Sequence, residues 1–263
     1  MPVSSGPSSG PWRISLKYLR PLALALLLAA PATGNAAFTV TVQEASGPVI
    51  AISDGGALDA DGLINGSITA DTASLNALLT NFSFSSLGGT SSLLGGGPAE
   101  VTVSGLVTRL PGADFSTVTI TSGDTGFTSG NPKSLVTSVS DTFQNTTSGD
   151  LRTFQGVFDA TAAGGAFVTS PLFVFIPPNG AGPFNTSNLG FTTPLGVQPS
   201  PFDLTTTTVI TLGPNPTSGI QSDQFFGSAG VTAPITPTPE PASLTLLATG
   251  AVTLLAFRRR KAV

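Results

Sequence analysis

Phe38-Thr39-Val40-Thr41-Val42-Gln43 carries an apolar side chain at every second position from Phe38 to Val42. Side chains alternate between the two faces of a strand, so Phe38, Val40 and Val42 share one face and the polar residues share the other. That is the pattern of a half-buried strand. Segments of the same kind recur at 49–53, 63–70, 100–110, 116–122, 134–144, 151–160, 167–176, 203–212 and 220–226, with Gly, Pro, Asn and Ser between them. Residues 151–160 are expected to form a hairpin with the preceding strand through 145–150. The run 167–176 is more continuously apolar and reads as a buried central strand, stopped by Pro177-Pro178. One segment reads as helix: Asp71 suits an N-cap, and Leu75, Leu78, Leu79 and Phe82 would share one face, with a strand through 81–86 as the competing reading. Residues 177–200 read as an extended surface loop, or as a divide between two subdomains. No fixed period emerges, which argues against a solenoid. Strands separated by turn residues, with little helix, predict an all-β fold: a β-sandwich or jelly-roll-like ectodomain.

The two ends carry a different message. In residues 1–37, Arg13, Lys17 and Arg20 precede an apolar core at 22–30 and small residues at 32–37. This is the layout of a cleavable export signal helix, with cleavage after Ala36 or Ala37. At the other end Pro239-Glu240-Pro241 is followed by an apolar run of sixteen residues, 242–257, and then by Arg258, Arg259, Arg260 and Lys261. As a helix the run would be about 24 Å long at ~1.5 Å per residue. A bilayer's hydrocarbon core is ~30 Å, and local thinning plus snorkelling of the basic end closes that gap. The basic cluster should stay cytoplasmic, placing everything before Pro239 on the far side. Residues 227–238 contain Pro234 and Pro237 and read as an extended linker between the 38–226 domain and this short transmembrane helix.

The tail 239–263 resembles the PEP-CTERM sorting signal of bacterial surface proteins: a Pro-Glu-Pro element, a short apolar helix and a terminal basic cluster in that order. The resemblance covers about a tenth of the chain. It implies that Pro239, Glu240 and Pro241 are the substrate site of an exosortase, and that Arg258, Arg259, Arg260 and Lys261 are the cytoplasmic anchor. It also implies a link to exopolysaccharide. The motif suits docking physically, because two prolines hold an extended backbone around one carboxylate.

Composition narrows the chemistry between the ends. The chain of 263 residues has no Cys and no His, and its only Met, Trp and Tyr (Met1, Trp12 and Tyr18) fall within the first 37. A Ser-His-Asp or Cys-His arrangement, a His-bound metal and a disulfide are therefore excluded. A Ser-Lys pairing would need Lys133, whose neighbours do not form S-x-x-K and which reads as a single surface lysine. Carboxylates remain, so a two-carboxylate glycan hydrolase stays as a minor reading. Sugar rings are usually held on Trp or Tyr faces, which this domain lacks, and no enzyme is expected. Residues 38–236 hold thirteen acidic side chains against Arg109, Lys133 and Arg152, a net charge of −10. Such a surface does not attract nucleic acid or an acidic polymer directly.

The densest acidic stretch is 54–62, where Asp54, Asp59 and Asp61 sit among glycines. Oxygen ligands on a tightly turning backbone are what Ca²⁺ requires, but the EF-hand spacing is not met, and Asp and Gly are also ordinary turn residues. No cofactor is expected, with Ca²⁺ at this loop as the alternative. Weakly charged β-segments leave sheet edges poorly guarded, which favours self-association. The leading expectation is an exported, surface-anchored, non-enzymatic structural or matrix-associated protein. The alternative is a glycan- or calcium-binding module on the same sandwich.

Overall fold

The computed structural model describes residues 38–232, except 46, 94–97, 113, 132 and 215–219, and leaves the side chains of 187 and 188 undescribed. The predicted export signal, the sorting motif and the apolar tail lie outside the described residues. What is described is two antiparallel sheets facing each other across one core. The first has the order β10-β8-β12-β6-β1-β2, with β9 also paired to β8; the second has the order β11-β7-β13-β5-β4-β3. The first sheet's strands are β1 (Thr39–Glu44), β2 (Val49–Ser53), β6 (Ser116–Phe127), β8 (Leu151–Asp159), β9 (Phe167–Thr169), β10 (Phe173–Phe175) and β12 (Phe202–Leu212). The second sheet's are β3 (Ser67–Thr69), β4 (Phe82–Ser91), β5 (Ala99–Arg109), β7 (Lys133–Gln144), β11 (Phe184–Gly196) and β13 (Ser222–Thr232). From β5 to β8, and again from β10 to β13, each strand lies in the sheet opposite its predecessor. The closing strands β12 and β13 insert between β6 and β8 and between β5 and β7, which is the winding of a jelly roll.

The period-2 pattern decides what fills the core. Along β1 Val40 and Val42 point inward, and Phe38, just before it, joins them. On β7 the buried positions are Lys133, Leu135, Thr137, Val139, Asp141 and Phe143. With no Trp, Met or Cys available, phenylalanine supplies the bulk: Phe38, Phe82, Phe84, Phe127, Phe158, Phe202 and Phe225 are all essentially inaccessible. Burying such side chains contributes ~1.5–3 kcal/mol each.

Several expectations need correction. Residues 145–150 do not close a hairpin, because β7 and β8 lie in opposite sheets. The segment 167–176 is not a buried central strand: Ser170-Pro171 divides it into β9 and β10, both at the edge of the first sheet, with Phe167 and Val174 exposed. Proline removes a ladder donor and so is confined to such edges. The loop expected at 177–200 contains the thirteen-residue edge strand β11. The linker reading from Gly227 is overturned as well, since β13 runs on to Thr232 and pairs with β5 and β7 throughout. At 63–70 the strand is confined to β3. The helix and its competing strand both form: α1 (Thr72–Asn76) is capped by Asp71, which accepts from Ala73 N and Ser74 N, and β4 begins at Phe82.

Candidate functional site

The acidic stretch proposed for Ca²⁺ is a loop closed on itself. Asp54 and Asp59 are buried and Asp61 is exposed. Asp54 accepts from the backbone amides of Asn65 (3.2 Å) and Gly66 (2.8 Å). Asp59 accepts from Gly55 N (3.0 Å) and Thr69 N (3.1 Å). Asp61 accepts from Leu63 N and Asn65 Nδ2, and the Leu63 amide chiefly holds its carboxyl below the usual range. Gly55 adopts φ +73° where a Cβ would strike Ile64, so this turn requires glycine. The three carboxylates thus serve as acceptors for the loop's own donors. Among the described residues no group of three His, Cys, Asp or Glu side chains converges to hold a metal.

All three cations of the domain are inside it. Arg109, Lys133 and Arg152 are 3%, 1% and 0% exposed, so among the described residues the surface presents no positive side chain. Each lies over a phenylalanine ring: Arg109 over Phe82 at 5.8 Å, Lys133 over Phe202 at 5.5 Å and Arg152 over Phe225 at 5.4 Å. Cation–π attraction is stronger where water is excluded. The surface-lysine reading of Lys133 is therefore wrong. Its Nζ donates to Asn131 Oδ1 (3.0 Å) and to the Gln198 carbonyl (2.5 Å), and burial pushes its pKa down. The signal was present in the sequence, because residue 133 falls in the same phase of β7 as Leu135, Val139 and Phe143.

Arg152 organises the most heavily buried polar group. Its guanidinium pairs with Asp141, donates to the carbonyls of Ser140 (2.9 Å) and Phe226 (3.0 Å), and interacts with Asp223. Desolvation lowers its pKa to about 10. Asp223 is fully buried and its oxygens find no well-formed hydrogen bond. Burial raises its pKa to about 7 against the opposing pull of Arg152 and the Thr142 amide. One cation cannot neutralise two carboxylates in a low-dielectric core, so a proton on Asp223 leaves a neutral set below that pH. Sequence reasoning missed this group, although Asp141 and Asp223 both sit at inward-phase positions.

Directly outside this group, the second sheet carries a groove of about 450 Å³ on its outward face. Two rows of side chains cross it. In one, Gln224 stands opposite Thr142, and Thr142 opposite Asn185. In the other, Phe226 lies between Ser104 and Ser140. Both walls carry an extra residue relative to their partner strand: β4 between Phe84 and Ser86, and β11 between Thr186 and Leu189. Such bulges bend the bulged strand, and here they flank the concavity. Asp141 and Phe225 border its floor. The side chains of Ser86, Ser104, Ser140, Thr142, Asn185 and Gln224 make no hydrogen bonds to other described residues.

The fold and groove define an all-β sandwich domain with a neutral polar face. Residues 237–261 match the PEP-CTERM protein-sorting motif, so the chain carries that signal at its C-terminal end. Pro239, Glu240, Pro241, Arg258, Arg259, Arg260 and Lys261 all fall within this match and outside the described residues. No curated protein matches the chain. Among solved structures it is similar to the Gx strain of infectious bursal disease virus at 12% identity and a TM-score of 0.33, covering 80% of this chain and 59% of that one. For the Gt strain the identity is 14% and the TM-score 0.24, with the same coverage. The chain thus spans less than two thirds of the viral chains' length.

Proposed function

We propose that this is an exported, non-enzymatic structural protein of the cell surface or extracellular matrix, processed by an exosortase-type enzyme at Pro239–Glu240–Pro241. The observation that carries the reading is the sorting motif at 237–261. The apolar run 242–257 would hold the precursor in the membrane, with Arg258, Arg259, Arg260 and Lys261 on the cytoplasmic side. A structural role is supported by how the domain uses its ionisable groups: Glu44, Asp54, Asp59 and Asp150 accept backbone amides that close loops and strand ends. Copies of the domain would meet through β11, an edge strand of thirteen residues without a charge.

The test is the intact mass of protein recovered from the cell surface, with and without Glu240→Ala. The expected product begins near Phe38 and ends near Pro239–Pro241, and is lost in the variant. A chain reaching Val263 in both samples would sink the sorting reading.

A further inference from the structure

We infer that the groove on the outward face of the second sheet binds a neutral, hydroxyl-rich polymer, a polysaccharide chain without acidic groups. The ligand class follows from what lines the groove and from what is missing around it.

Serine and threonine hydroxyls each donate and accept, and the Asn185 and Gln224 amides offer both functions as well. A ligand matched to such a surface presents donors and acceptors at close intervals, as sugar hydroxyls do. None of the six polar side chains is engaged with another described residue, so binding breaks no side-chain hydrogen bond among the described residues. They are mounted on paired strands whose backbones are fixed by the ladder, which limits the ordering cost on association. Phe226 stands between Ser104 and Ser140 and is half-buried, offering one ring face among the polar groups. In a domain without Trp or Tyr it is the side chain placed to stack on a sugar ring.

Charge selects among polymers. The three cations are buried, and Arg152 beneath the floor is already paired with Asp141, so among the described residues no positive side chain is exposed in the groove to fix a carboxylate, sulfate or phosphate. The domain's net charge of −10 repels such chains. Shape selects a chain over a single sugar. The groove crosses from β4 through β5, β13 and β7 to β11, four inter-strand steps of ~4.8 Å, or about 19 Å. That accommodates several rings in a row.

This inference rests on the matrix role proposed above and names what the domain would hold there, yet it fails separately. Full-length chain in mild detergent is run through native gels containing dextran, a β-1,4-glucan, mannan or the anionic polymer alginate. At least one neutral polymer should retard the protein, and alginate should not. Phe226→Ala and Gln224→Ala should each weaken the retardation about tenfold, a difference of ~1.4 kcal/mol. Thr207→Ala, on the outward face of the other sheet, should leave it unchanged. The thermal melts of all three variants show whether they are folded. Retardation by alginate alone, by no polymer, or undiminished in both groove variants would overturn the inference. Because Glu240→Ala leaves the groove intact, a chain that is never processed yet still binds would sink the sorting reading and spare this one.

Discussion

The loop at 54–66 and the groove on the second sheet invert what their sequences suggest. The loop concentrates three carboxylates within eight positions and looks like a site. Its carboxylates are the acceptors that its own backbone amides and the Asn65 side-chain amide require. The groove is built from serine, threonine, asparagine and glutamine scattered over five strands, with no motif to mark it. The side chains of Ser86, Ser104, Ser140, Thr142, Asn185 and Gln224 bond no other described residue. Chemical density along a sequence is thus a poor guide to availability. What matters is whether a group's hydrogen-bonding capacity is already satisfied in the fold.

The contrast breaks most severely from below, where Arg152 supports the groove floor through Asp141. Arg152→Met leaves two buried carboxylates without a counter-charge and should cost about 3–5 kcal/mol in urea unfolding at neutral pH. Adding Asp141→Asn and Asp223→Asn to that variant should recover part of the loss. A small effect for Arg152→Met alone would mean the pair contributes little and the floor is held by packing.

Stability should also depend on pH through Asp223. Folding raises its pKa from 3.8 to about 7, so between those values the folded chain keeps a proton that the unfolded chain has released. The contribution is complete below about pH 4 and is lost as the pH rises to about 7, a change of a few kcal/mol. Asp223→Asn should remove this slope and exceed the wild type in stability at pH 8. Identical pH profiles for the two proteins would refute the assignment.

In the loop, Asp54→Ala leaves the Asn65 and Gly66 amides without their acceptor and should cost about 1–3 kcal/mol. Asp61→Ala, at an exposed position, should leave the unfolding midpoint close to that of the wild type. Adding Ca²⁺ to the wild type should leave its melting temperature unchanged. A rise of several degrees would show that the loop opens to the ion and that its carboxylates are available after all.

Much of the fold was legible because one face of each sheet is buried. Period-2 alternation located β1, β2, β5, β7, β8 and β12 to within a residue or two. It failed where alternation lapses. β11 is an edge strand with few buried residues, so its Pro and Gly content read as loop; β13 continues through Gly227, Ala229 and Gly230, small residues that carry no β signal. A Cβ at Gly227 would lie 2.2 Å from Phe154, so packing, not turn formation, places glycine there. Pairing was the other blind spot. Nothing in residues 145–150 states that the chain crosses to the opposite sheet, because strand partners in a jelly roll are distant in sequence. The groove was hidden for the same reason, its walls being joined only by β5, β13 and β7. The buried cations were legible in principle: Lys133 and Asp141 share the phase of Leu135 and Phe143, and a charged residue at an apolar phase signals an interior partner.

The smallest expected effect sharpens the comparison most. Ser104→Ala, Ser140→Ala and Gln224→Ala remove side chains that bond nothing else in the described chain, so each should change unfolding free energy by no more than about 0.5 kcal/mol. Cross-strand pairs on a sheet face can contribute ~0.2–1 kcal/mol, so Ser140 beside Phe226 sets the strictest case. If all three variants match the wild type in a denaturant titration while Asp54→Ala does not, polar groups in the loop hold the structure and those in the groove do not. If the groove variants lose as much as the loop variant, the rows of hydroxyls are structural ladders, and any binding defect they show would reflect a damaged sheet. Neutral stability is therefore the condition under which a loss of polysaccharide binding can be assigned to contact with the ligand.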